Sequence, residues 1–198
     1  MEQVVAFVLE LDRLKAVTRK VKPLGQDRYE NSAEHSWHLA MLALSLAPHA
    51  EPGTDMDRVI RMLLVHDIGE IDTGDTLFFI EAGRQDRKVA EEQAVARILG
   101  LLPDGQGAPL LDLWREFEAG TSREARFAQA MDRAAPVLLN LASDGQSWRE
   151  NGVRYEQVVA RVGPPIAAGC PALWNHIAGR LDAARDAGWF GIAYTASQ

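Results

Sequence analysis

Apolar residues along the chain recur at spacings of three and four, the period of a helix that buries one face. Val4, Val5, Phe7, Val8, Leu11, Leu14 and Val17 follow that period and predict a first amphipathic helix, which ends before the basic, Pro/Gly-containing stretch TRKVKPLGQDRYEN. Asn31 with Glu34 three residues later forms a capping-box pattern, with Ser32 as the alternative cap, so HSWHLAMLALSLA predicts helix over about 33–48. Pro52-Gly53 breaks the chain, and DMDRVIRMLLVHDIGEI predicts a third helix. Its centre, Val59, Ile60, Met62, Leu63, Leu64 and Val65, is almost wholly apolar and implies a central helix buried all round.

Past Gly74, RQDRKVAEEQAVARILGLL and PLLDLWREFEAG predict two more helices around a loop from Pro103 to Gly107. Thr121 and Glu124 form a second capping-box pattern before REARFAQAMDRAAPVLLNLA, where Pro136 is expected to kink or divide the helix. SDGQSWRENG predicts a turn-rich loop, YEQVVARV a short helix and PALWNHIAGRLDAARDAG a terminal one. An aromatic tail of Trp189, Phe190 and Tyr194 follows. There is no period-2 strand run, internal repeat or low-complexity tract, so the expected fold class is all-α. At 198 residues one compact domain over 1–198 is expected, its C-terminal helix and tail starting near 171.

Composition narrows the function classes. Apolar residues at 47% and charged residues at 25% exclude a disordered chain, and one cysteine, Cys170, cannot form an intramolecular disulfide framework. No segment has the run of apolar residues a membrane span needs, and the N-terminal sequence reads as helix, so a cytoplasmic protein with no membrane partner is expected. The net charge of −7 argues against binding a nucleic-acid polymer and favours small-molecule partners.

The sharpest chemical signal is His66-Asp67 at the end of the apolar helix, because an imidazole and a carboxylate are costly to bury unless paired or metal-bound. His35 in the first turn after Asn31, and Asp132 within FAQAMDRAAPVLLN, are candidate partners from two other helices. Two imidazoles and two carboxylates so gathered make a mixed nitrogen and oxygen site for a divalent ion. Spacing alone leaves the plainer readings open: His35 as a structural histidine, Asp132 paired with Arg133, Glu70 and Asp72 as helix-end acids, and Asp75 as a loop cap. Arg13, Lys15, Arg19, Lys20, Lys22 and Arg28 make a local basic run opposed only by Asp27, ordinarily a solvated face.

The ordered segments SAEHSWHLA, VHDIGEIDTGDT and AMDRAAPVLLN resemble the His … His-Asp … Asp pattern of the HD-domain metal-dependent phosphohydrolase superfamily. They resemble more narrowly its 5′-deoxynucleotidase-like branch, and the likeness runs from about residue 10 through LWNHI. That resemblance implies a compact HD-domain helical bundle in which His35, His66, Asp67 and Asp132 hold one divalent metal ion, whether Mn, Co, Fe, Mg or Zn. It implies catalytic roles for Glu70 and Asp75 in proton transfer, and an arginine ahead of the Glu-His-Ser element that holds substrate phosphate. Arg19 matches that position, with Lys20 as the fallback. The implied activity is release of phosphate from a small monoester, a deoxyribonucleoside 5′-monophosphate above all, and homodimers are common among such proteins.

Alternatives within the same reading are another phosphoester, cyclic or pyrophosphorylated, and a non-catalytic metal-containing nucleotide-binding module. The segment TLFFIEAGRQDRK after Asp75 departs from the branch's pattern and bears on the choice of nucleotide. His38, one turn after His35, is read as pocket-lining or buried rather than a ligand. Trp37 is read as core, His49 and His176 as incidental, and the aromatic tail as a set of interface anchors.

Overall fold

Ten α-helices account for most of the described residues, 1–76, 79 and 84–191, of the computed structural model. They are α1 (Glu2–Asp12), α2 (Ser32–Leu46), α3 (Met56–Val65), α4 (Glu70–Thr73), α5 (Arg84–Leu99), α6 (Ala108–Ala119), α7 (Arg123–Ala142), α8 (Gln146–Glu150), α9 (Tyr155–Gly169) and α10 (Pro171–Asp186). The expected all-α class holds. The extended pairing found among the described residues is an antiparallel bridge between Thr18 and Asn31. No helix among them is long and apolar enough to cross a membrane.

Helix α7 is the axis of the bundle and packs against α2, α3, α6, α9 and α10. Its buried face is rich in alanine, with Ala125, Ala128, Ala130, Ala134 and Ala135 all inaccessible, so neighbouring backbones come close. The contact with α9 is tight enough that a Cβ on Gly169 would stand 2.1 Å from the Arg126 carbonyl oxygen. The one polar side chain on this face with an ionisable head is Asp132, 5% exposed. Pro136 neither ends nor divides the helix, which runs unbroken from Arg123 to Ala142. Burial on several sides outweighs the lost donor, and Asn140 Nδ2 donates to the Pro136 carbonyl one turn on.

Local chemistry fixes the helix starts. Asn31 and Glu34 form the reciprocal capping box: Glu34 N donates to Asn31 Oδ1 at 2.9 Å and Asn31 N to Glu34 Oε1 at 2.8 Å. Before α7 the cap is Ser122, which accepts from Ala125 N, rather than Thr121 with Glu124.

Several other expectations need correction. Helix α3 stops at Val65 instead of continuing to Ile71, and Leu64 lies 51% exposed on an outer face rather than in an all-round core. The expected loop SDGQSWRENG contains α8, and α9 runs through Pro164 and Pro165 to Gly169, because its face Val158, Val162 and Ile166 is buried. None of α1 is fully buried; Phe7 and Leu11 pack on the core while Val5 and Val8 stay about half exposed.

The aromatic tail also differs from the interface anchor expected. Phe190 stacks on Trp148 with ring centroids 4.5 Å apart, and Trp189 packs on the same core, so both serve the chain's own interior. Tyr194 lies outside the described residues.

Candidate metal centre

Three segments bring the ionisable residues together. The capped start of α2 buries His35 completely, α7 supplies Asp132, and the turn after α3 supplies His66 and Asp67. The helix fails there because residues 65–70 form successive tight turns, with Ile68 N donating to Val65 O and Glu70 N to Asp67 O. Gly69 makes that turn fit: a Cβ would come within 3.0 Å of the Glu91 carbonyl oxygen and of Val95 Cγ2 on α5. Glu70 therefore opens the short helix α4 instead of lying one turn along α3. Gly74, at φ 71°, ends α4 in a conformation suited to glycine and turns the chain so that Asp75 follows.

His35, His66 and Asp132 each present one donor atom, and the three donors lie within 4.8 Å of one another. His35 Nε2 is 3.1 Å and His66 Nε2 3.7 Å from Asp132 Oδ1, while Arg133 Nη1 holds Asp132 Oδ2 at 3.1 Å. Both the metal reading and the pairing with Arg133 are thus present, on separate oxygens of one carboxylate. His66 Nδ1 lies 2.9 Å from the Leu63 carbonyl, which assigns its proton to Nδ1 and leaves a lone pair on Nε2. That Nε2 is buried without a hydrogen-bond partner among the described residues. An orphaned imidazole nitrogen beside a second imidazole and a carboxylate fits a divalent ion in chemistry and in spacing.

Asp67, expected as the fourth ligand, stands beside this group. Its Oδ1 is 3.1 Å from His66 Nε2, but its Oδ2 accepts from Arg19 Nη1 at 2.8 Å. Arg19 also reaches to within 3.9 Å of Asp75. Glu70 accepts from Ser32 Oγ at 2.6 Å and lies within range of the charge of Asp75. Lys20 turns the other way along the extended segment, its Nζ 5.6 Å from the Tyr29 ring centroid at the rim of the cavity.

The electrostatics follow from burial opposed by close charges. Burial alone would lower the His66 pKa, but Asp67 and Asp132 push it up to about 10. Burial would raise Asp67, yet His66 and Arg19 hold it down at about 2; Asp132 lies well below the usual range because Arg133 and the two imidazoles outweigh its burial. Glu70 is pushed up to about 9 by burial and by the charge of Asp67, and Asp75 is raised by burial in the same way. The carboxylates around His66 thus draw a cation to that spot. A proton on the imidazole is one answer, and a divalent ion, which needs the imidazole neutral, is the other.

His66, Asp67, Glu70, Asp75 and Asp132 line a cavity of about 570 Å³ together with Arg19, Trp114, Phe117, Arg133 and Asn140, while His35 is not part of its lining. That size is in the range of small-molecule sites. Trp114 Nε1 donates to the His66 carbonyl at 3.0 Å, and the Phe117 ring lies 5.1 Å from the His66 ring, walling it from solvent. Trp37 is neither core nor wall: it is 65% exposed on the outer face of α2, because helical period marks a face without showing that anything covers it. His38 is half-buried on α2, outside the three-donor group. Sequence reasoning missed Glu30 and Ser32; the one available signal was an acid at the end of a basic run, directly before the Asn31 cap.

A family model described as HD domain matches residues 11–174. The crystal structure of a predicted metal-dependent phosphohydrolase from Magnetospirillum magnetotacticum MS-1 superposes with a TM-score of 0.89 at 39% identity, covering 96% of this chain and 98% of that one. The 5′-deoxynucleotidase HDDC2 of Homo sapiens is 30% identical over 111 residues, 56% of this chain and 53% of that protein. A 5′-deoxynucleotidase of Pasteurella multocida is 29% identical over 168 residues, 77% of this chain and 83% of that protein. The match thus spans about half the length of the mammalian relatives, 53% of the human and 52% of the Bos taurus protein.

Proposed function

The chain belongs to the HD-domain family, and from that premise we propose that it is a metal-dependent phosphohydrolase releasing phosphate from a small monoester, with deoxyribonucleoside 5′-monophosphates as the substrate class. One observation carries the reading: two imidazole nitrogens and a carboxylate oxygen lie within 4.8 Å of one another, and His66 and Asp132 of that group line a nucleotide-sized cavity. His35, His66 and Asp132 would hold the ion, with Asp67 as a fourth donor. A divalent ion bound there supplies Lewis-acid polarisation of a phosphoryl oxygen and eases deprotonation of water.

The chain's own residues supply the rest. Arg19, part-buried and kept charged by Asp67 and Asp75, is the proposed phosphate anchor, since its planar fork suits phosphate oxygens; Lys20 at the rim adds a second positive charge. Glu70 and Asp75, both pushed up by burial and with the charge of Asp75 acting on Glu70, form a carboxyl–carboxylate pair in this reading. Such a pair can take a proton from attacking water and return one to the departing oxygen. Trp114 and Phe117 limit water access from the side of His66.

Residues 1–198 form one HD-type unit in this reading, supported by one cluster of buried residues from Leu39 to Phe190 among the described residues. The protein is placed in the cytoplasm, without a nucleic-acid polymer as partner; the free, buried Cys170 and the acidic balance support this. A homodimer is part of the same reading, supported by apolar side chains left exposed at Val8 and Leu9 on α1 and Trp37 and Leu44 on α2.

A substrate panel tests the reading. Protein loaded with Mn or Co is expected to release inorganic phosphate from deoxyribonucleoside 5′-monophosphates and not from cyclic diesters or nucleoside triphosphates. Turnover confined to a diester or pyrophosphorylated nucleotide would move the substrate class. Nucleotide binding without turnover of any of them would make the protein a binding module.

A further inference from the structure

Glu30 is 3% exposed, and a carboxylate at that depth is costly unless charge surrounds it. Its backbone lies in the short antiparallel pairing that precedes α2: Arg19 N donates to Glu30 O at 2.9 Å and Glu30 N to Val21 O at 2.8 Å. Its side chain turns inward, with Oε1 3.2 Å from Arg19 Nε and 3.3 Å from His35 Nδ1. All three atoms are buried, and none has a well-aligned hydrogen-bond partner among the described residues, so their charges and dipoles face one another. One carboxylate oxygen therefore touches the back of the proposed phosphate anchor and the back of a proposed metal ligand.

We propose that Glu30 is a positioning residue that ties Arg19 to His35, fixing the reach of the guanidinium and the tautomer of the imidazole together. This rests on the metal-centre reading given above. Without an ion, Nε2 hydrogen-bonds Asp132 Oδ1 at 3.1 Å; an ion at Nε2 would leave the proton to Nδ1, where the Glu30 carboxylate, 3.3 Å away, is placed to hold it. The same charge strengthens Nε2 as a donor. On Arg19 it engages Nε, so that Nη1 is carried to Asp67 and toward Asp75. The anchor and the ligand are then set by one group, and loss of that group should disturb both.

The test uses the full chain, with Co(II) alone and inorganic phosphate as probes. Glu30→Gln keeps the size and removes the charge. It is expected to weaken Co(II) binding about 10- to 100-fold, to alter the visible absorption of the bound cobalt, and to weaken inorganic phosphate binding to the cobalt-loaded protein. Either affinity left at the wild-type level overturns the proposal. Imidazole proton–nitrogen correlation spectra of zinc-loaded wild-type protein test the contact whether or not the variant folds: the expected result is a slowly exchanging, strongly downfield proton on His35 Nδ1, as a carboxylate acceptor gives, and an Nδ1 proton at the shift of an imidazole without such an acceptor overturns it. A wild-type chain that binds neither metal overturns the metal-centre reading and this inference with it. Normal metal binding with an unchanged variant overturns this inference alone.

Discussion

Asp132→Asn is expected to abolish stoichiometric divalent-metal binding and to cut phosphate release by more than about 100-fold, since groups that merely orient a ligand already account for 10- to 100-fold. One oxygen of Asp132 faces both imidazoles, at 3.1 and 3.7 Å, and the other holds Arg133. Asparagine can keep an oxygen near His35, so the helix should stand, but it removes the negative charge that draws a cation between the rings. Metal content per chain, set beside circular dichroism, separates loss of the ion from loss of the fold. A folded variant that keeps one ion per chain would take Asp132 out of the ligand set.

Glu70→Gln should have the opposite signature in metal content and a similar one in rate. Glu70 lies outside the three-donor group and receives its hydrogen bond from Ser32 Oγ, which an amide oxygen can equally accept. Metal content and thermal stability should therefore stay near wild type. Proton transfer through the Glu70–Asp75 pair would be lost, and general acid–base contributions of this kind are worth about 10²- to 10⁴-fold in kcat. The measurement is kcat with saturating metal, alongside ions bound per chain. A rate within twofold of wild type would remove Glu70 from the chemistry, and loss of metal and rate together would make it a ligand.

Local features were readable from the sequence, and tertiary ones were not. The Asn31–Glu34 capping box depends on residues three apart, and it forms as its spacing requires. His66-Asp67 stood out because two costly groups follow an apolar run. That His35 and Asp132 join them came from the resemblance, since nothing in local spacing brings positions so far apart to one oxygen.

The end of α3 at Val65 was misread because Gly69 owes its turn to the backbone of α5, a partner more than twenty residues on. Pro136 does not divide α7, and α9 continues past its expected end through two prolines, because packing on both sides outweighs a local breaker. Glu30 showed only as an acid at the end of a basic run, which says nothing of its partners. Its meaning lies in Arg19 and His35, which meet it only once the chain has doubled back at Thr18 and Asn31.

The central claim is that phosphate release depends on an ion held by His35, His66 and Asp132. Its most direct test is to strip the protein with chelator, reload it stepwise with Mn or Co, and follow inorganic phosphate release from a deoxyribonucleoside 5′-monophosphate against ions bound per chain. Activity should be absent from stripped protein and rise in proportion to bound metal, saturating at one ion per chain. Equal turnover by stripped and loaded protein, or none by protein carrying its full complement, would contradict it.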